Sequence, residues 1–302
     1  MKYDNYSVLM SVYYNEEPDY LKLSIESMLN QTYKPNEIIL VKDGPLPPEL
    51  DYVIECYVTS YPKQFTVVSL KKNIGLGLAL NEGLRVSRNE LIARMDTDDI
   101  SIPSRCEIQI NEFNKDPDLV ILGSHIDEFY DDPKNVVSSR IVPLTHESIL
   151  SFSRRRNPFN HPTVMYKRSD VLRVGGYDNY RRNQDLDLFV RMLNSGCVGR
   201  NINRSLLLFR ANKDNLKRRK SWEKCKSYIA MIYRFWRMGY SSFIDVLMVL
   251  GSQIIIYITP IKFLEWFTNK YLRKSYHGKK YTENVTINLN EFIVKGVTKT
   301  WK

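Results

Sequence analysis

The sequence contains few cysteines, and their spacing excludes two classes of small, cross-linked protein. Its four cysteines lie far apart along 302 residues, and no two of them form a Cys-x-x-Cys pair. Disulfide scaffolds and structural zinc sites both require closely grouped cysteines. Hydrophobic residues make up 43% of the chain and charged residues 26%, as in ordinary globular proteins. The chain is therefore expected to fold around a hydrophobic core in a reducing compartment.

The sequence also lacks a complete phosphate-binding glycine loop. The segment Asn-Ile-Gly-Leu-Gly at 73–77 begins like one, but Leu80 stands where G-x-G-x-x-G has its third glycine. No Walker lysine follows, so dinucleotide-binding and P-loop folds are excluded. A signal peptide is not expected either, because Asp4 precedes and Glu16 follows only a short apolar run.

Excess positive charge is confined to the last third of the chain. Residues 1–210 carry 26 Lys and Arg against 28 Asp and Glu, whereas residues 211–302 carry 18 against 6. Basic clusters occupy 213–226 and 270–280. This asymmetry favours an anionic partner, either a membrane surface or nucleic acid, over a merely solvated basic tail.

The C-terminal third contains one uncharged run that is too short for a simple membrane span. Val246 to Ile261 is 16 residues long. As a helix it would measure about 24 Å, against about 30 Å for a bilayer core, and Pro260 would interrupt it. Asp245, Ser252 and Thr259 recur every seven residues as a narrow polar stripe. The pattern favours a helix at the membrane interface, with a core helix on the catalytic domain as the alternative.

The first half alternates apolar runs with amphipathic helical patterns. The predicted strands are 7–14, 37–44, 65–70 and 90–95, and the predicted helices are 16–31 and 76–87. This alternation predicts an α/β fold with a mostly parallel sheet covered on both faces. In such sheets, ligands bind beyond the carboxyl ends of the strands. Four polar clusters follow strand ends and should meet in one crevice: Tyr13–Asn15, Asp43–Gly44, Asn73–Gly75 and Asp96–Asp99.

The second half is less regular. It is predicted to contain a strand at 118–130, a basic loop and short strand at 154–168, a helix at 183–196, and helices from Trp222 and in 243–267. The expected organisation is a catalytic domain at 1–212, a basic helical region at 213–274, and a poorly ordered tail at 275–302.

The acidic cluster Met-Asp-Thr-Asp-Asp at 95–99 is the strongest candidate for a metal site. Asp96 and Asp98 point to one side in extended backbone, and oxygen ligands without His or Cys favour Mg²⁺ or Mn²⁺. The alternative is an acidic turn in which Asp99 or Ser101 caps a helix that Pro103 helps to start. With the other strand-end clusters, the pattern favours a nucleotide diphosphate held through a metal.

Seven segments resemble, in order and spacing, those of family 2 glycosyltransferases. They are SVLMSVYYNEE, SIESMLNQTY, EIILVKDG, KKNIGLGLALNEGL, ARMDTDD, NHPTVMYKRS with GGYD, and QDLDLFVRML. The resemblance covers about residues 5 to 210. It extends to the bacterial enzymes of O-antigen and exopolysaccharide assembly, such as the amylovoran-type transferases. It implies a GT-A fold, a nucleotide-sugar donor, a divalent metal and inversion at the anomeric carbon.

The strand-end clusters and the resemblance together define a donor site. The residues expected to contact the donor are Tyr13, Asn15, Glu16, Asp43, Asn73, Gly75, Arg94 and Asp96. The resemblance implies that Asp98 is the main metal ligand, with Asp96 facing both ribose and metal. Arg94 and Arg105 flank the acids as phosphate-contacting or orienting groups. Lys42 replaces an aspartate that is common in the family beside Asp43, so uridine recognition is an expectation only.

The resemblance places Asp185 at the position of the catalytic base. Gln184 stands where the family usually has Glu, and inverting transfer needs only one base together with a Lewis acid for the departing diphosphate. Alternatively, Asp185 is simply an acid at a helix N-terminus. His161 lies either near the metal or acceptor, or in a structural position. The arginines at 154–156 either form an exposed loop or contact an acceptor diphosphate.

Two classes of function remain. The first is an inverting transferase that moves a sugar, expected to be UDP-linked, onto a glycan such as a polyprenyl-diphosphate-linked saccharide. This enzyme would act peripherally on an anionic membrane, at the cytoplasmic face of the bacterial inner membrane. The second is a basic membrane- or nucleic-acid-binding protein with structural acidic clusters. Nucleic acid is not the expected partner, because the basic region matches no recognised RNA- or DNA-binding fold.

Overall fold

The computed structural model describes residues 2–211, 221–260 and 263, and these fold around one sheet of nine strands. The strands are β1 (Tyr6–Val12), β2 (Glu37–Lys42), β3 (Phe65–Ser69), β4 (Leu91–Arg94), β5 (Ile100–Ser101), β6 (Leu119–Phe129), β7 (Val136–Arg140), β8 (Met165–Lys167) and β9 (Val198–Arg210). The order across the sheet is β3-β2-β1-β4-β8-β6-β9-β5, and β7 pairs with β6.

Helices cover the sheet on both faces. They are α1 (Pro18–Leu29), α2 (Pro48–Ser60), α3 (Leu76–Val86), α4 (Arg105–Lys115), α5 (His146–Ser153), α6 (Arg168–Arg173), α7 (Gln184–Asn194), α8 (Trp222–Arg237) and α9 (Phe243–Ile258). Val8 and Met10 on β1 belong to one hydrophobic cluster and Leu9 to the other, so the strand is buried on both sides. A near-continuous apolar run is the expected sequence for such a strand.

Strands β1 to β4, from the first part of the chain, pair in parallel, as predicted. The strands that follow them join the sheet in both directions. β8 runs antiparallel to both β4 and β6, and β9 is parallel to β6. The predicted α/β fold is confirmed. Six elements were missing from the prediction, and α4 was expected only in the capping alternative; the six are α2, α5, α6, β5, β7 and β9. For α2 a signal was present, since Leu50, Ile54 and Tyr57 are buried at helical spacing.

Helix α4, which follows the acidic cluster, begins too far along the chain for Asp99 or Ser101 to be its N-cap residue. α4 starts at Arg105 with Ser104 as its N-cap residue, and no side chain caps it by a hydrogen bond. Ser101 lies in β5 and Asp99 immediately precedes that strand. The interpretation of Asp99 or Ser101 as a helix cap is therefore wrong, because the two residues of β5 separate the acids from the helix.

The C-terminal helices α8 and α9 pack on α7 and on each other. Leu186 and Val190 of α7 form a cluster with Ile232 and Phe235 of α8 and Val249 of α9. The predicted boundary at residue 212 and the predicted tail at 275–302 lie outside the described residues. None of the helices in the described part of the chain is long and apolar enough to cross a membrane.

Candidate functional site

A cleft of about 770 Å³ opens beyond the carboxyl ends of β1, β2 and β4. Strand-end loops supply its floor, and the end of β9 supplies one wall. Of the residues predicted at the donor and metal, those lining the cleft are Tyr13, Asn15, Glu16, Asp43, Asn73, Gly75, Asp96 and Asp98. Arg94 is the one predicted donor residue that does not line it. The parallel half of the sheet brings these residues together from four separate segments.

Asp43 organises the loop between β3 and α3. Its carboxylate accepts hydrogen bonds from the backbone N–H groups of Ile74, at 2.7 Å, and Gly75, at 3.0 Å. The side chain of Asn73 donates in turn to the Asp43 carbonyl at 3.2 Å. Gly44 has a φ of +94°, and a Cβ atom there would lie 2.7 Å from the Asn73 nitrogen. Only glycine allows this close approach of the two loops.

Three carboxylates form an acidic triad of Asp96, Asp98 and Asp99, whose ligand atoms all lie within 4.8 Å of one another. Burial, followed by the charges of Asp96 and Glu16, raises the pKa of Asp98 to about 7. Burial and the other two acids raise the pKa of Asp99 well above its usual value. Like charges this close are unfavourable without a cation.

Asp99 supplies the clearest indication that the triad fits a metal. It is fully buried, and one carboxylate oxygen accepts the backbone N–H of Arg210 at 2.9 Å. The other oxygen is buried and has no hydrogen-bond partner among the described residues. An all-oxygen set with an unpaired buried carboxylate oxygen suits Mg²⁺ or Mn²⁺. The metal ligands predicted from the sequence were Asp98 and Asp96, and Asp99 had a role of its own only in the capping alternative, although its place directly after Asp98 was an available signal.

Two buried arginines lie next to the acidic triad. Arg94 forms an ion pair with Asp96, and that charge raises the pKa of the guanidinium despite the opposing effect of burial. Arg105 donates to the Arg94 carbonyl at 2.7 Å and to Gln109 at 3.1 Å. Both side chains are at most 1% exposed. Of the two roles predicted for them, the geometry favours orienting Asp96 over contacting a phosphate.

Arg210 and Tyr20 line the cleft and were not predicted. The guanidinium carbon of Arg210 lies 3.8 Å from the ring centre of Tyr20 and 4.6 Å from that of Phe129. Its Nε donates to the Asp98 carbonyl at 3.0 Å. A cation held between two rings beside the acidic triad stabilises negative charge there. Arg210 was missed because β9 was not recognised as a strand, whereas Tyr20 lies in a helix that was predicted.

Asp185 lies half-buried at the start of α7, beside the cleft rather than in its wall. Its carboxylate accepts a hydrogen bond from the Asn157 side chain at 2.6 Å. Burial raises the pKa of Asp185, and the charges of Arg140 and Arg94 offset part of this rise. A proton acceptor with a raised pKa, held by neutral donors (the Asn157 side chain and the Leu186 backbone N–H), suits a general base.

The start of α7 is held close to the cleft by two local features. Asn183, just before the helix, has a φ of +61°, a left-handed conformation that Asn tolerates. A Cβ atom at Gly77 would lie 3.1 Å from Cγ of Gln184. The start of α7 therefore packs directly on the start of α3, next to the cleft residues Gly75 and Leu76.

His161 occupies a structural position. It is 8% exposed, and its Nε2 lies 2.9 Å from the Tyr177 hydroxyl. Burial lowers its pKa well below the usual value, which keeps the imidazole neutral. It does not line the cleft. Of the two alternatives for His161, the geometry favours the structural one.

Fold and cleft together define a nucleotide-sugar-dependent glycosyltransferase with a GT-A fold. The family model described as "Glycosyl transferase family 2" matches residues 7–176, more than half of the chain. The chain therefore belongs to that family, and the predicted family is confirmed.

Two curated relatives match almost the whole chain. One is the "UDP-Gal:alpha-D-GlcNAc-diphosphoundecaprenol beta-1,3-galactosyltransferase" of Escherichia coli, 35% identical over 89% of this chain and 97% of its own. Another is the "Amylovoran biosynthesis glycosyltransferase AmsE" of Erwinia amylovora, 32% identical over 88% and 98%. These similarities support a hexosyltransferase of polysaccharide synthesis.

Solved structures share the fold at low sequence identity. The mannosyltransferase PcManGT of Pyrobaculum calidifontis, in complex with GDP-Man and Mn²⁺, is 15% identical. It matches 98% of this chain and 88% of its own with a TM-score of 0.57. S. aureus TarS 1–349 is 14% identical, matching 97% and 78%, with a TM-score of 0.54. The GT-A fold is thus confirmed over the described residues.

Proposed function

We propose that this enzyme transfers a hexose from a UDP-linked sugar to a polyprenyl-diphosphate-linked saccharide, as in O-antigen or exopolysaccharide synthesis. The observation that carries the proposal is the acidic triad at the cleft, with Asp185 beside it on a separate helix. The E. coli relative supports the choice of substrates, since its name specifies UDP-Gal and a diphosphoundecaprenol-linked sugar. Transfer inverts the anomeric carbon, because one base is available for direct displacement.

Each residue of the site has a distinct task in this proposal. Asp43 holds the loop that contacts the nucleoside. Asp96 and Asp98, with the unpaired oxygen of Asp99 beside them, would hold Mn²⁺ or Mg²⁺ together with the donor diphosphate. A divalent cation at this site stabilises the charge that develops on the departing nucleotide diphosphate. Asn157 holds Asp185, which takes the proton of the acceptor hydroxyl as that oxygen attacks.

The donor half of the proposal is tested by thermal unfolding with nucleotides. UDP with Mn²⁺ is expected to raise the melting temperature, because a ligand at 100 times its Kd stabilises the native state by about 2.7 kcal/mol. UDP without a divalent metal should give a much smaller shift. Release of nucleotide diphosphate from a panel of nucleotide sugars then identifies the donor. Equal shifts with and without Mn²⁺ would contradict metal-mediated binding.

We also propose that α9 attaches the enzyme to the cytoplasmic face of the inner membrane. Ile244 and Ile258 are each 67% exposed, and further apolar side chains of the same helix are exposed: Phe243, Leu247, Met248, Ile254 and Ile255. An exposed apolar face of this size is typical of a protein or membrane contact. The adjoining basic segments favour an anionic lipid surface.

Substitution of Ile244 and Ile255 together by Gln should weaken binding to phosphatidylglycerol vesicles by about tenfold or more, because each buried Ile contributes about 1.5–3 kcal/mol. Salt should weaken binding of the unmodified protein without abolishing it, since apolar insertion is not screened. Vesicle co-sedimentation measures both effects. Val86→Gln is a matched control, because Val86 is exposed on α3. Equal binding to neutral and anionic vesicles would disprove the electrostatic contribution.

A further inference from the structure

Three exposed arginines lie on two segments of the chain that meet beside Asp185. Arg140 ends β7, and Arg154 and Arg156 belong to the segment that follows α5. In the part of the chain that the structure describes, none of the three forms an ion pair. Arg156 lies over the ring of Phe152, with 5.5 Å between its guanidinium carbon and the ring centre. Three exposed guanidinium groups that form no ion pair with a described carboxylate offer a site for an anion.

The segment that carries these arginines is bonded to the catalytic base. Asn157 donates to the Asp185 carboxylate at 2.6 Å. The side chain of Asn160 lies 3.5 Å from the Arg140 carbonyl, which brings the end of β7 to the same segment. The charge of Arg140 also acts on Asp185, where it opposes the effect of burial on the pKa of that carboxyl. Arg140 therefore lies close to Asp185, and Arg156 lies close enough to Arg140 for their charges to interact.

The same segment is fixed to the C-terminal helices. The side chain of Arg155 pairs with Asp245 at 3.2 Å, and its carbonyl accepts the Tyr228 hydroxyl at 2.8 Å. Ser241 donates to the Arg154 carbonyl, also at 2.8 Å. Arg155 is thus committed to a structural ion pair, whereas its two neighbours along the chain remain exposed. These contacts fix the backbone of the segment and leave the guanidinium groups of Arg154 and Arg156 exposed.

The apolar face of α9 continues from the arginines. Arg155 donates to the sulfur of Met248 at 3.0 Å, and Met248 is one of the exposed apolar side chains of that helix. The protein thus presents a proton acceptor at Asp185, then exposed arginines, then an exposed apolar surface. A saccharide joined to a lipid through a diphosphate presents a hydroxyl, an anion and an apolar chain in the same order.

We infer that Arg140, Arg154 and Arg156 bind the diphosphate of the acceptor, and that the acceptor lipid leaves the site along the exposed face of α9. This inference rests on the proposed function, and it assigns the acceptor anion to named side chains. Arginine suits the task because its planar guanidinium donates two parallel hydrogen bonds to phosphate oxygens. Binding there places the sugar of the acceptor next to Asp185.

The test is a calorimetric titration of the full chain with geranyl diphosphate, performed with saturating UDP and Mn²⁺ so that the donor cleft is filled. The unmodified protein should bind geranyl diphosphate, and geraniol should bind at least about tenfold more weakly. In an Arg140→Gln/Arg156→Gln variant, affinity for geranyl diphosphate should fall by about 10- to 100-fold, the usual loss for hydrogen bonds to a charged group. Arg85→Gln, which removes an exposed arginine from α3, should leave the affinity unchanged.

The outcomes separate this inference from its alternatives. Unchanged affinity in the double variant, or equal affinity for geraniol, would overturn it. An anionic phospholipid headgroup could use the same arginines. In that case the double variant would lose binding to phosphatidylglycerol vesicles while keeping its affinity for geranyl diphosphate, and the inference would again be wrong. UDP and Mn²⁺ binding, measured first in the same titration, reports separately on the proposed donor site.

Discussion

Asp185→Asn is expected to lower the rate of sugar transfer by about 10²- to 10⁴-fold, the usual contribution of a positioned general base. Asparagine keeps the size of the side chain and can still accept the hydrogen bond from Asn157, but it cannot take up the acceptor proton. In the proposed site, Asp43, Asp96 and Asp98 hold the donor and metal, so the affinity for UDP and Mn²⁺ should change little. Initial rates and calorimetric UDP titrations measure the two quantities.

The pH dependence of kcat provides a second test of the same role. A general base acts in its unprotonated form, so the rate falls as the pH drops through the pKa of Asp185. Because burial raises that pKa, the fall should begin at a higher pH than for an exposed aspartate, whose pKa is about 3.9. The Asn variant should lose this acid limb.

A matched control for Asp185 is Asp178→Asn, which removes an exposed aspartate that pairs with Arg234 at 3.3 Å. Exposed ion pairs contribute at most about 1 kcal/mol, so transfer should be nearly normal in this variant. Near-normal transfer by Asp185→Asn itself would exclude Asp185 as the base. Loss of UDP binding along with transfer would instead place Asp185 at the donor.

Asp98→Ala is expected to weaken Mn²⁺-dependent UDP binding by about 10²-fold or more. Loss of groups that only orient a metal ligand costs about 10- to 100-fold, and loss of a ligand itself should cost at least as much. Asp96 cannot fully replace Asp98, because its carboxylate is already paired with Arg94. Titration of UDP with and without Mn²⁺ measures the loss.

The same variant should not destabilise the metal-free fold. Burial and the neighbouring carboxylates raise the pKa of Asp98 to about 7, so its charge is unfavourable in the folded protein. Removing it relieves repulsion, and the free energy of unfolding without metal should stay the same or increase. Asp118→Ala, at an exposed position after α4, is the control and should preserve UDP binding. Unchanged Mn²⁺-linked affinity in Asp98→Ala would disprove the ligand assignment.

The sequence by itself determined the parallel half of the sheet and most of the donor cleft. Strands such as β1 and β2 are marked by apolar runs, and polar residues follow directly at their carboxyl ends. Because parallel strands end at the same edge, Asp43, Asp96 and Asp98 had to converge there. These features depend on short-range patterns and on one topological rule, which a single sequence contains.

Only the tertiary structure decided which charged groups are buried and which face the cleft. Arg94 and Arg105 follow the sequence pattern of ligand-contacting residues, yet packing of β4 against α4 and β8 encloses them beneath the acidic triad. Arg210 enters the cleft only because β9 pairs with β5 and β6 across a long stretch of chain. Asp99 joins the acidic triad for the same reason, since the backbone of Arg210 fixes its carboxylate.

The arrangement of residues around the proposed acceptor site depends even more on contacts between distant segments of the chain. The arginines at 154–156 could be read only as a basic loop from the sequence, with two alternatives left open. Their position beside Asp185 and α9 arises from hydrogen bonds of the Asn157 side chain and of Tyr228 and Ser241. Side-chain burial and pairing of this kind depend on partners far along the chain, so they carry no local pattern in the sequence.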